Sequence, residues 1–501
     1  MSPTLDLQPL ALLSGSTTTR LLLLGLLCFG SVLLWVRRLN LSSMRKIPGP
    51  WYLKLTTAFV KYHEFAGTKR GWVHGLHLKY GPVVQLGRNE ISFASYTAAK
   101  QIYSSGNKEF RKTELYSLFE QEGHINLFTA LDPEKHSEIR RSLADRYSNS
   151  NVLRPKIMDA IADRAAVFAE VCAAGKSADV YLLLHAYALD CVTAMLFHPY
   201  GTNSLAGAED KQMVRLLSYA DARKALYLMH YFPFLSNTWY ALASGSENSE
   251  KGGPMIRNYV HQTLARGGHS DFTLAARFLA SPDFDRSLAE SECLDHIGAG
   301  IETTGDTLCW LMWELSQPRH RGKVARLHEE LLVGASDGRG LDTLPYLGAV
   351  VQEALRLWAP GTQPLPRYVP ANGAYIDGSH IPGNTIVGCP SYSMHRIDER
   401  VFPEADEFNP DRWLSSDGNT DRQRLFFAFA LGARTCIGKH LAMAEMRACL
   451  NAVYSKYWTQ PAADMTSSMD MDDQVLTSRP RGMCCRITFV PWTEAGDDVE
   501  A

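Results

Sequence analysis

One cysteine sits where a glycine-punctuated loop turns into a helix. The loop Phe429-Ala-Leu-Gly-Ala-Arg-Thr-Cys436-Ile-Gly438 runs directly into the helical stretch Lys439-His-Leu-Ala-Met-Ala-Glu-Met-Arg447. Gly432 and Gly438 let the backbone turn tightly and approach a flat cofactor. The free N–H groups of the helix's first turn would face the Cys436 sulfur and, with the helix dipole, lower its pKa. That favours the thiolate needed to ligate a metal. Arg434, two positions earlier, would pair its guanidinium with an anionic group on the cofactor edge. Taken alone, a cysteine in a turn reads more simply as a small buried side chain.

The full spacing, Phe429-x-x-Gly432-x-Arg434-x-Cys436-x-Gly438, resembles the haem-thiolate loop of the cytochromes P-450, with every fixed position filled. The resemblance extends over about Ile47 to Val490, with the stronger motifs in the second half. It implies a mainly α fold with a smaller β-region, built as one large globular domain. It also implies haem b (iron protoporphyrin IX), with Cys436 as axial ligand of the iron, Phe429, Gly432 and Gly438 shaping the loop, and Arg434 meeting a propionate.

Length alone, 501 residues, suggests several domains. No Gly/Ser-rich or Pro-rich linker and no internal repeat interrupts the chain after residue 50, so 51–501 is expected to be a single domain. A net charge of −2 and a pI near 6.8 give no electrostatic footprint for nucleic acid. The ten cysteines are scattered without a Cys-x-x-Cys pair, which suits a reducing compartment.

Leu21 to Val36 is uncharged and overwhelmingly apolar, reaching ~24 Å as a helix. A hydrocarbon core is ~30 Å thick, and Arg20 and Arg37 can snorkel across the shortfall. A core helix or a cleaved signal peptide would also be apolar, but Trp35-Val-Arg-Arg38 offers no small-residue cleavage site. The expectation is a tail over 1–20, a transmembrane anchor over 21–36 and a basic, Pro-rich hinge over 37–50. Arg37, Arg38, Arg45 and Lys46 follow the anchor, which places the main domain on the cytosolic side. Pro48-Gly-Pro50 stops the helix and resembles the hinge of membrane-bound family members; a single-pass position in the endoplasmic reticulum membrane is implied.

Tyr80 to Phe93 alternates and carries Gly and Asn as a small hairpin would. Phe110 to Pro133 loses its period and reads as a long irregular segment, which the resemblance places beside the substrate pocket. His136 and Arg140 follow at i,i+4 on a helical stretch. The resemblance sends both to the haem propionates; a solvated basic helix face is an equal reading of the same residues. Ser150 to Ala280 is mostly helical and carries no readable motif.

Ser287-Leu-Ala-Glu290 reads as a capping box opening a helix that runs to about Ser316. Leu294, Ile297, Ile301, Leu308, Leu311 and Leu315 keep a 3–4 spacing, so one stripe is buried. Within it, Ala299-Gly300-Ile-Glu302-Thr303-Thr304 resembles the oxygen-activating segment that crosses the distal face of the haem. Gly300 would leave room for a diatomic ligand, Thr303 would offer a hydroxyl to it, and Glu302 would feed a proton relay. A mid-helix threonine commonly bonds back to the carbonyl four residues earlier instead, here Ala299.

Thr343 is placed to cap the next helix, where Glu353 and Arg356 share a face. They resemble the family's Glu-x-x-Arg, with Arg412 of Phe408-Asn-Pro-Asp-Arg412-Trp413 completing a triad assigned to structure. As a surface pair they would contribute only ~0.2–0.5 kcal/mol. Pro364-Leu-Pro-Arg367 resembles the segment that sends an arginine to a propionate, and the turn at Ser478 to Gly482 would reach back into the pocket.

The implied activity is that of a haem-thiolate monooxygenase, in which dioxygen is activated and an apolar small molecule hydroxylated or otherwise oxidised. A haem-thiolate isomerase or dehydratase needs no acid–alcohol pair such as Glu302-Thr303, and a haem ligand sensor would explain neither that pair nor the thiolate loop. No flavin or nicotinamide fingerprint follows the loop, so electrons from NADPH are expected through a partner flavoprotein, the NADPH-cytochrome reductase. The runs Gly298 to Asp306 and Phe429 to Arg434 look most like fungal members that decorate secondary metabolites.

Overall fold

The computed structural model describes residues 21–27, 29–31, 43–104, 109–235, 247–281 and 285–494. Six helices position the site: α1 Pro133–Leu143, α2 Pro155–Ala173, α3 Val180–Phe197, α4 Arg286–Leu315, α5 Pro345–Leu357 and α6 Lys439–Tyr454. Helix α3 is apolar all round, and it is buried all round, packed along α4. Its one carboxylate, Asp190, is satisfied by the Thr202 hydroxyl at 2.7 Å and the N–H groups of Ser204 and Leu205 at 2.7 and 3.2 Å. Among the described residues α3 is the one helix long and apolar enough to cross a membrane, and burial makes it the core helix instead.

Close packing of α3 on α4 depends on two glycines. A Cβ on Gly300 would stand 3.0 Å from Val192 Cγ2, and one on Gly305 would overlap the His185 ring. The expectation that Gly300 leaves room for a diatomic ligand is therefore corrected: the direction of its absent side chain is filled by α3. Helix α4 also begins earlier than the capping box suggested. Asp285 is the cap, accepting the Ser287 N–H at 3.1 Å, while Glu290 pairs with Arg286 and His261. Thr343 does not cap α5. Its hydroxyl donates to the Gly340 carbonyl, and Glu330 supplies the cap by accepting the N–H groups of Tyr346 and Leu347 at 2.8 and 2.7 Å.

The expected hairpin is present as β1 Val83–Gly87 and β2 Glu90–Phe93, antiparallel with Val83 opposite Phe93. Two further short strands, β3 Arg367–Tyr368 and β4 Ile386–Gly388, complete a sheet of order β1-β2-β4-β3 in which β4 runs parallel to β2. That order puts Arg367 on an edge strand facing the irregular segment, where Lys112 bridges to it. The hinge is fastened to the sheet, since the Gln85 N–H donates to the Pro48 carbonyl at 2.8 Å. Leu21–Leu27 and Phe29–Ser31 are helical and, Gly30 apart, exposed. The tail over 1–20 and residues 32–42, which hold the end of the expected anchor and the start of the hinge, lie outside the described residues.

Candidate active site

The cysteine loop is a backbone construction. Ala430 and Gly432 adopt positive φ of 57° and 72°, and the Cys436 N–H donates to the Phe429 carbonyl at 2.9 Å, closing the loop on itself. Gly432 is required, because a Cβ there would overlap the carbonyl oxygen of Tyr103. The missing side chain thus lets the loop turn tightly and pack on the Tyr103 backbone. Gly438 meets no such obstacle; a Cβ there would lie 3.9 Å from Cys436 Sγ.

Cys436 is exposed to a water-sized probe yet lies deep among protein atoms, which puts the residue at an internal hollow. Burial pushes the thiol's pKa up. The Gly438 N–H, the Arg140 and Lys439 charges and the Lys439 N–H pull it back without reversing it. The donors are aimed as expected, but the net direction is upward. A coordinated metal ion would displace the proton outright.

Around this hollow the fold gathers cations. Arg434 donates to the carbonyls of Ala130 and Leu131 at 2.6 and 3.2 Å, and Arg140 to the Thr435 carbonyl at 2.7 Å. Arg367 is held by the Tyr116 hydroxyl at 2.8 Å. His136 is buried, and burial followed by the charges of Arg434, Lys112, Arg140 and Arg367 lowers its pKa to about 3. Burial and then Arg367 lower Arg434 to about 10. Among the described residues none of Arg140, Arg367, Arg434 and Lys112 forms an ion pair. With only Asp132 acting on Arg434 and Asp295 on Lys112 to oppose them, like charges brought this close favour an anion among them.

Lys112 is the member that sequence reasoning missed. It is buried, donates to the Phe128 carbonyl, and lies 4.3 and 4.5 Å from the ring centroids of Tyr116 and Phe128. Its segment has no period, and the aromatic pocket that makes its burial tolerable is assembled only by folding.

Helix α4, which packs against α6, carries a stripe of accessible residues in its mostly buried middle: Asp295, Ala299, Gly300, Glu302 and Thr303, flanked by Gly298. Thr303 donates its hydroxyl to the Ala299 carbonyl at 2.6 Å, the alternative that its mid-helix position allowed. Its proton is committed, so the oxygen offers lone pairs to the hollow and acts as an acceptor. Burial and then the neighbouring Asp306 raise the Glu302 pKa, while His185 and Arg479 oppose. Arg479 belongs to the strand Ser478–Pro480, so the C-terminal turn does reach toward this end of α4. Asp306 is tied to α3 by His185 Nε2 at 3.2 Å.

On the opposite side the loop is held by a buried ionic lattice. Glu353 accepts from Arg356 Nε and Nη2, both at 2.8 Å, from Arg412 Nε at 2.9 Å, from Trp413 Nε1 at 2.8 Å and from the Asn409 N–H at 3.0 Å. The pair Glu353 and Arg356 is wholly buried, so the reading as a surface pair does not apply. His395, a residue that no sequence motif marked, joins this lattice to the loop: its Nδ1–H donates to the Arg356 carbonyl and its Nε2 accepts the Phe427 N–H, both at 2.8 Å.

The Cytochrome P450 family model matches residues 48–486, most of the chain. The chain is a cytochrome P450. Among its relatives, cytochrome P450 monooxygenase hkm5 of Aspergillus hancockii is 29% identical over 489 residues, covering 91% of this chain and 92% of that one. Cytochrome P450 monooxygenase stcB of Emericella nidulans is 27% identical, covering 91% and 90%, and ankB of Aspergillus thermomutatus is 28% identical, covering 94% of each.

The residues of this P450 fit the family's haem. Cys436 is an accessible cysteine at an internal hollow, the basic side chains beside its loop suit two propionates, and α4, packed against α6, supplies an accessible polar stripe.

Proposed function

We propose that this P450 is a monooxygenase that oxidises an apolar small molecule, with Cys436 as the iron ligand and the Glu302–Thr303 pair as its proton-handling residues. The observations that carry the proposal are an accessible Cys436 at the head of α6 and an accessible acid–alcohol pair on α4, the helix that packs against α6. Haem held through a thiolate supplies dioxygen activation, the thiolate favouring O–O cleavage. The chain's own part is to anchor and to deliver protons. His136, Arg140, Arg367, Arg434 and Lys112 hold the anionic edge of the cofactor. Thr303 accepts a hydrogen bond from a water or hydroxyl in the hollow, and Glu302, whose pKa burial raises, supplies the proton.

Electrons reach the domain from NADPH through a separate flavoprotein reductase, since the chain carries no flavin or nicotinamide fingerprint. Leu21 to Val36 anchors the chain in the endoplasmic reticulum membrane as a single span, with the single domain that follows the hinge on the cytosolic side. The basic residues after the span support that orientation. The likeness to fungal monooxygenases supports a place in secondary-metabolite biosynthesis.

The test combines spectroscopy and isotope transfer. Ferrous protein with CO should give the red-shifted Soret band of thiolate ligation, and Cys436→His should lose it. With reductase, NADPH and labelled dioxygen, one labelled atom should enter the product. Product formed without any reductant would instead mark an isomerase.

A further inference from the structure

Asp295 stands on the accessible stripe of α4 two turns before Thr303, about 12 Å along the helix axis. It opens onto the hollow while protein encloses it, and among the described residues it makes no hydrogen bond and no ion pair. Behind it Glu292 is 0% exposed, and neither carboxylate oxygen finds a hydrogen-bond partner. His296 Nε2, 3.5 Å from Glu292 Oε2, has none either, while its Nδ1 is held by the Tyr147 hydroxyl at 2.7 Å. The donor atoms of Glu292, Asp295 and His296 all lie within 4.8 Å of one another.

Two carboxyl groups this close in an enclosed site are costly unless they share a cation or a strong donor. Burial and then Asp295 hold Glu292 well above the usual carboxylate range, with the Leu127 N–H opposing from outside hydrogen-bond geometry. Burial raises Asp295 to about 7 against the pull of Lys112. Lys112, whose pKa burial and then the Arg367 and Arg434 charges hold well below the ordinary lysine range, makes no ion pair with Asp295; its Nζ is turned to the Phe128 carbonyl and to the rings of Tyr116 and Phe128. Of the two carboxyls only Asp295 keeps an open face and no partner, so a cationic group entering from the hollow meets it first.

We infer that the substrate is an apolar molecule carrying a basic nitrogen, and that Asp295 receives that nitrogen with Glu292 and His296 behind it. The inference rests on the monooxygenase reading of the hollow and names the substrate class for it. The charged end docks at Asp295, so oxidation falls on a carbon remote from the nitrogen, near Thr303.

The full-length holoenzyme tests this by substrate-induced spin-state titration at the Soret band. The probes are an arylalkyl tertiary amine whose N-substituents are too bulky to ligate iron, its neutral carbon analogue and the matching carboxylic acid. Wild type should prefer the amine over the neutral analogue by about 10- to 100-fold, the worth of one charge-assisted hydrogen bond in a closed site, and should bind the acid worst. Asp295→Asn should bring the amine-to-neutral ratio close to one while keeping the CO band. Glu292→Gln, with the same band intact, should reduce the ratio in part. Equal affinities in wild type, preference for the acid, or a ratio unchanged in Asp295→Asn would overturn the inference. So would Zn²⁺ binding that competes with the amine and disappears in His296→Ala, since the cluster would then be a metal site. Failure of wild type to show the CO band would strike the haem-thiolate reading instead, which keeps the two failures apart.

Discussion

Phe427 donates its backbone N–H to His395 Nε2 at 2.8 Å, two residues before the cysteine loop opens at Phe429. Because Nδ1–H is spent on the Arg356 carbonyl, only the neutral imidazole with this tautomer satisfies both partners. His395 thus transmits the position of the Glu353 lattice to the cysteine loop. Replacing it with Ala strands the buried Phe427 N–H and should cost about 1–3 kcal/mol. The expected result is a lowered unfolding midpoint and a CO spectrum shifted in part to the form without thiolate; His395→Gln should recover some of both.

The same imidazole sets a pH dependence. Burial, opposed by the bond to Arg356, lowers the His395 pKa to about 3, far below its value of 6.5 in an unfolded chain. Between these values the unfolded state binds the extra proton, so the stabilisation is complete above pH 6.5 and is lost as pH falls toward 3. Asp295, raised to about 7, and Glu445, raised to about 8, act with the opposite sign and partly mask the trend in wild type. The difference between wild type and His395→Gln removes them. That difference should shrink by about 1.4 kcal/mol for each pH unit below 6.5 and change sign in acid, read from denaturant unfolding.

Glu353 is fully buried and collects five hydrogen bonds from Arg356, Arg412, Trp413 and Asn409. Its removal leaves two guanidinium groups without their counter-ion, at a cost of about 3–5 kcal/mol. Glu353→Ala should be recovered with little haem and a depressed melting temperature. Full haem occupancy at wild-type stability would remove the structural assignment of this triad.

The α3–α4 contact gives a compensating pair. Gly305→Ala places a methyl group on the His185 ring and should cost about 1–3 kcal/mol by overpacking. His185→Ala loses its bond to Asp306 but opens the space. The double variant should therefore be more stable than the sum of the two single losses requires, and strict additivity would show that α3 and α4 separate instead of clashing.

What the sequence made legible and what it hid divides along physical lines. The cysteine loop and the Glu353–Arg356–Arg412 lattice were readable because their chemistry demands residue types at fixed spacing. Glycine was less transparent: Gly432 and Gly300 were rightly singled out, yet their neighbours proved to be the Tyr103 backbone and Val192. Those contacts join segments hundreds and about a hundred residues apart, and no local pattern encodes them. Lys112, His395 and the pairing of Asp306 with His185 were hidden for the same reason. The cap of α4 was misplaced by two residues because Asp285 and Ser287 are both good caps, and the choice between them is made by Glu290, which is engaged with Arg286 and His261.

Thr303 provides the sharpest test of how the hollow handles protons. Its hydroxyl hydrogen is donated to the Ala299 carbonyl at 2.6 Å, which leaves the oxygen as a fixed acceptor beside Glu302. In the proposed reaction an acceptor in that position would hold a donor water in place, so that a proton from Glu302 would reach the oxygen being reduced. Thr303→Ala removes the acceptor and leaves the helix intact, since the Ala299 carbonyl remains in the helical ladder. The variant should bind haem, show the CO band and consume NADPH with reductase, while releasing hydrogen peroxide in place of oxidised product. Positioned proton transfer is worth ~10²–10⁴-fold, so product formed per NADPH should fall by at least tenfold. Thr303→Ser, which keeps the oxygen, should restore much of the yield. Product yield per NADPH unchanged in Thr303→Ala would mean that protons reach the hollow by another route, with Glu302 acting alone or through Asp306 and His185.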